Sequence, residues 1–162
     1  MSKQRIDELL TLMDRAFDSH EHSLVVNLNS VRDESWESLL NNARRSIRNI
    51  TAHVGMFKYI YANHAFRGAD MDYDDPPATP GAGRLEIPAA AIQWLREAHA
   101  YLTGCIRDLS DDAELEARRK AHWGALEPTY DLIVIMLEHD LYHAGEINRA
   151  RALLQDDDKW DV

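Results

Sequence analysis

Residues 128–155 read PTYDLIVIMLEHDLYHAGEINRARALLQ, and the reading of this stretch decides the fold. By pattern alone the apolar run Leu132–Leu137 fits a buried strand. Apolar residues then continue at Ile147, Ala150 and Leu153/Leu154, at spacings of three and four, so the segment reads as one long amphipathic helix. Pro128 suits its opening, where a missing N–H leaves no bond unmade, and the pattern runs to about Gln155. Into this helix are set His139, His143 and Glu146, all on one side. Polar residues entering an apolar helix face need a partner, because burying them unpaired is costly.

Three further segments carry the same period. Ile6, Leu10, Met13, Phe17, Leu24, Leu28 and Val31 form a stripe with His20 filling its gap, which predicts a first helix over about 3–30. A second stripe, Trp36, Leu39/Leu40, Ala43, Ile47, Ile50, Val54, Phe57 and Tyr61, predicts a helix ending near Phe66, with Asn41-Asn42 as a point where it could be interrupted. Residues 67–88, RGADMDYDDPPATPGAGRLEIP, hold four of the five prolines and three of the seven glycines and form a long loop, a crossover or a lid. Pro88 opens the third helix, which carries Ile92, Leu95, Ala98, Leu102, Ile106 and Leu109. A connector of mixed charge leads back to Pro128, and no strand alternation stands out. The expectation is an all-α chain, one domain over 1–162: a four-helix bundle with its crossover between helices 2 and 3. The closing DDDKWDV, 156–162, reads as a frayed tail whose Trp160 could fold back on the surface.

Composition narrows the function. The chain has 162 residues, enough for a substantial core, and 45% of them are hydrophobic. Its 18 Lys+Arg against 28 Asp+Glu give a formal charge of −10, which argues against a nucleic-acid partner. Cys105 is the only cysteine, so intramolecular disulfides and cysteine-rich zinc clusters are excluded. No signal-peptide pattern opens the sequence and no apolar run approaches the roughly 18 residues of a membrane span. The expected compartment is the cytoplasm, and the Asn49-Ile50-Thr51 sequon carries no weight.

On a helix, side chains four apart are neighbours, with Cβ atoms about 5–6 Å apart. His139 and His143 can therefore aim at one cation. A third ligand must come from another helix, and His53, in SIRNITAHVGMF beside the stripe of Ile50, Val54 and Phe57, is the best placed. Three neutral imidazoles with an open fourth position make a catalytic type of metal site. Glu146 could be a ligand, an acceptor for an imidazole N–H, or a catalytic carboxylate. A histidine pair at this spacing also arises by chance in a chain with eight histidines. Without a metal, the pair would simply be hydrogen-bonded near a bundle end.

The remaining candidates read more plainly. His20 packs on its stripe, His22, His99 and His122 are partly exposed, and His64 complements the dipole at its helix C-terminus. Lys58 and Tyr61 line a pocket, or Lys58 snorkels at the surface. Tyr142 offers a phenol to a substrate or packs in the core. Asp140 points outward, and Cys105 is a small buried residue rather than a nucleophile.

HDLYHAGEINRARALL, with RRSIRNITAHVGMFKYIYANHAF and the long loop that follows it, resembles the DinB superfamily over about residues 5–155. Relatives often have a histidine where this chain has Arg149. The resemblance implies an up-down-down-up four-helix bundle and a divalent metal on His53, His139 and His143, nickel or zinc before iron or manganese. It implies homodimers and, in some branches, thiol-dependent enzymes acting on small molecules. Two functions follow as expectations. One is an S-transferase-like or hydrolase-like metal enzyme with a small-molecule substrate, with a low-molecular-weight thiol as cosubstrate in the transferase case, and with Glu146 and Tyr142 as catalytic candidates. The other is a metal-stabilised dimeric bundle with a stress-response or interaction role and no turnover.

Overall fold

The computed structural model describes residues 2–41 and 43–158; Trp160 and the end of the tail lie outside them. The chain is mostly helical. Helix α1 spans Gln4–Asp18 and α2 spans Leu24–Leu28. Helix α3 runs Ile47–Phe66, α4 Pro88–Arg107 and α5 Thr129–Gln155. Strands β1, Arg118–Lys120, and β2, Leu126–Pro128, pair antiparallel in register Arg119 to Glu127. The hairpin leaves no pattern in the sequence, because three residues a side are too few to display alternation.

The expected first helix is broken in two. Between them, the side chains of His20 and Ser23 compete with the helix for backbone partners, His20 Nδ1 accepting from the His22 N–H at 3.2 Å. The Ser23 hydroxyl donates to the His20 carbonyl at 2.6 Å and accepts from the Ser19 N–H at 3.2 Å. Asn27 Nδ2 donates to the carbonyls of Glu21 and Ser23. His20, expected to pack on the core stripe, sits half-buried in this turn.

The expected second helix begins late, at Ile47. Its start is a capping box: Ser46 Oγ accepts from the Asn49 N–H while Asn49 Oδ1 accepts from the Ser46 N–H. The Trp36 region is apolar for another reason. The Trp36 indole is buried, and its Nε1 donates at 2.8 Å to the carbonyl of Leu85 in the 67–88 loop. Arg48 Nε donates to the same carbonyl at 3.1 Å, so the two connecting segments brace each other over the start of α3.

Helix α3 packs against both α4 and α5, and α1 against α4 and α5. Ile6, Met13, Leu102, Ile106 and Ile133 fill one region of the core; Leu24, Ile47, Val54, Leu95 and Ile147 fill another. Gly55 lets α3 approach α4 closely, since a Cβ there would lie 2.2 Å from the Trp94 ring. The Pro88 start of α4 and the end of α5 at Gln155 match expectation, the latter closed by Asp156 in a left-handed conformation, φ 47°. Among the described residues, no helix is long and apolar enough to cross a membrane.

Candidate metal centre

Helices α3 and α5 bring His53, His139 and His143 together. One ligand atom from each lies within 4.8 Å of the others. His53 Nε2 and His139 Nε2 are 3.2 Å apart, and the His139 and His143 ring centroids are 4.5 Å apart. His143 is buried, while His53 and His139 are half-buried. The Phe57 ring lies 4.5 Å from that of His53, and the Tyr61 ring 5.9 Å from that of His139, so an apolar wall stands on one side.

This environment keeps the imidazoles neutral. Burial first, then the neighbouring His143 and Arg45, lowers the pKa of His53 from 6.5 to about 4. Burial, then His143 and His53, lowers that of His139 to about 3. His143 is also lowered by burial, against the opposing pull of Glu146. Neutral imidazole is the metal-ligating form, and three such donors converging in one place fit a divalent ion.

Glu146 stands behind the cluster. Its Oε2 is 2.8 Å from His143 Nδ1, so a proton on that nitrogen is donated to the carboxylate and Nε2 is left for the cluster. Its Oε1 accepts from Arg45 Nη2 at 2.9 Å. Tyr142 is 69% exposed, with its ring edge-on to His143 at 5.0 Å, so it belongs neither to the core nor to the cluster. Cys105 is buried, and burial raises its thiol pKa, as expected of a packing residue.

A cleft of about 340 Å³ lies under the 67–88 loop, lined by Ile60, His64, Met71, Asp72, Tyr73 and His122 among others. Its volume is in the range of small-molecule sites. Phe57 joins it to the histidines, touching Tyr73 at 5.9 Å and His122 at 5.3 Å between ring centroids. His64, at the end of α3, has Nε2 3.0 Å from the Met71 carbonyl and so fastens the start of the 67–88 loop.

Three expectations fail beside the cluster. Lys58, Asp140 and His99 are 2%, 0% and 6% exposed, neither at the surface nor outward. Lys58 Nζ donates to Asp140 Oδ2 at 2.6 Å and lies 3.3 Å from His99 Nδ1; His99 Nε2 is 3.0 Å from Asp14 Oδ1. Each charge is tolerated inside because it has a partner. A signal was present in the sequence. Lys58 falls on the stripe of Val54 and Ala62, Asp140 on that of Met136 and Ala144, and His99 on that of Leu95 and Leu102.

The family model of the DinB superfamily matches residues 16–147, a span that contains all three clustered histidines. No curated protein matches the chain.

Proposed function

The chain belongs to the DinB superfamily, and from that premise we propose that it is a metal-dependent enzyme acting on a small molecule. His53, His139 and His143 would hold one divalent ion, nickel or zinc. The observation that carries this reading is the convergence of three neutral, partly buried imidazoles from two helices. When bound, such an ion supplies Lewis acidity toward water or a thiol at its free positions. Glu146 holds the Nδ1 proton of His143 and thereby fixes the ring and its tautomer. Arg45 keeps the Glu146 carboxylate in place, and Phe57 and Tyr61 limit water on the cluster's apolar side. The cleft under the 67–88 loop is the natural place for an organic substrate. S-transferase-like chemistry with a low-molecular-weight thiol and hydrolase-like chemistry both suit this site. The up-down-down-up bundle arrangement and a homodimeric state belong to the same proposal.

Elemental analysis of the purified protein tests it. One divalent metal per chain is expected in wild type, and none in His53→Ala or His143→Ala. Wild type that stays metal-free after incubation with nickel and zinc would sink the reading. Turnover is then sought with a panel of thiols plus an electrophilic acceptor, and with a panel of esters. If metal removal costs only stability and every panel is silent, the protein is a metal-stabilised bundle without turnover.

A further inference from the structure

Among the described residues, Lys58–Asp140 is the one ion pair whose partners are both fully buried, with side chains 3% and 1% exposed. Such a pair is poor value as a stabiliser, because desolvation consumes most of the attraction and an apolar pair of equal volume often does as well or better. Here the cost is higher still: Asp140 Oδ1 is buried and has no hydrogen-bond partner. Its position suggests what it is for. Lys58 lies on α3 five residues beyond His53, about 7.5 Å along the helix. Asp140 lies on α5 next to His139 and one turn before His143. The pair therefore joins the two helices that carry the cluster, beside the cluster itself.

The other helices meet at the same ammonium group. His99 of α4 faces Lys58 through Nδ1 at 3.3 Å and Asp14 of α1 through Nε2 at 3.0 Å. Phe17 of α1 stacks on His99 with centroids 3.9 Å apart, and Lys58 Nζ sits 5.0 Å from the Phe17 centroid. One bonding pattern links the set: Lys58 donates to Asp140 Oδ2 and to His99 Nδ1, and His99 Nε2–H donates to Asp14. All four long helices are tied at a single point, and sliding α3 past α5 would break the tie. On the outer side Arg45 and Glu146 form a second, more exposed tie at 2.9 Å.

We propose that Lys58 and Asp140 are positioning residues of the metal centre. Their buried pair, backed by His99 and Asp14, sets the register of α3 against α5 and so fixes where the His53 imidazole meets those of His139 and His143. The proposal rests on the metal reading above. Neither residue contacts the ion; each acts by placing the ligands.

The test is cobalt(II) binding, followed by ligand-field absorption and by competition with a chelator of known affinity. Wild type is compared with Lys58→Met/Asp140→Leu and with Asp14→Asn. The double variant puts apolar side chains of similar shape in place of both charges, so its helical circular dichroism and melting temperature are expected to hold or rise. Its cobalt affinity is expected to fall by about ten- to hundredfold, the range for residues that orient metal ligands, with a changed absorption spectrum. Asp14→Asn, at the exposed end of the network, is expected to weaken binding in the same direction and by less. A folded double variant with wild-type affinity and spectrum overturns the positioning role. Should the double variant not fold, Asp14→Asn decides: weaker binding upholds the role and unchanged binding overturns it. Wild type that binds no cobalt overturns the metal reading itself and the positioning role with it.

Discussion

Two polar clusters lie side by side between α3 and α5, and they solve burial in opposite ways. His53, His139 and His143 are neutral donors pointed at one another, a set that an added cation would satisfy. Lys58, Asp140, His99 and Asp14 are charged or bridging groups that pair with one another, with Asp140 Oδ1 left over. The first is open toward a ligand; the second is closed. Polar residues on a buried stripe thus mark either a site or a clamp, and what separates them is whether each charge finds its counter-charge within the protein.

Unbalancing the closed cluster gives the largest expected effect. Lys58→Ala leaves Asp140 buried without its cation and should cost about 3–5 kcal/mol in denaturant unfolding. A loss below 1 kcal/mol would mean that water reaches the site and the clamp is not closed. The open cluster should respond to what is added. Nickel or zinc at about a thousand times its Kd should stabilise wild type by about 4 kcal/mol and leave His139→Ala unmoved, as read by thermal unfolding. Glu146→Gln sharpens the contrast from the edge. It should keep one metal per chain but weaken binding about ten- to hundredfold, measured by chelator competition.

The smallest effect is the pH response of the clamp. His99 is lowered from 6.5 to about 2 by burial first, then by Lys58, Arg107 and Arg96. The solvent-facing Asp14 carboxylate is too screened to reverse this. The folded state therefore keeps His99 neutral while the unfolded chain protonates it below about 6.5. The unfolded state binds more protons there, so stability is complete above pH 6.5 and declines as pH falls. His99→Gln should make the acid side of the stability–pH curve shallower by up to one proton. An unchanged slope would show that His99 is already protonated in the folded protein.

The parts legible in the sequence were those governed by local rules. The period of α5, the proline start of α4, the long loop at 67–88 and the His139/His143 pair are each set by residues within a few turns of one another. His53 could be added because it lies beside an apolar stripe. Boundaries were lost where side chains capture the backbone, as Ser23 and Asn27 do between α1 and α2, and where Ser46 and Asn49 cap α3 after a long apolar lead-in. A short hairpin left too few residues to read.

The amino-acid sequence by itself determined a mostly helical chain and three histidines able to share a cation, because helical period and ligand spacing are properties of neighbours along the chain. Only the tertiary structure decided that Lys58, Asp140 and His99 are inside. A charge on an apolar stripe can bend to the surface or stay buried, and the outcome depends on whether another helix presents its counter-charge. Residues 58, 99 and 140 come from three separate helices, so that balance exists only after the helices have packed.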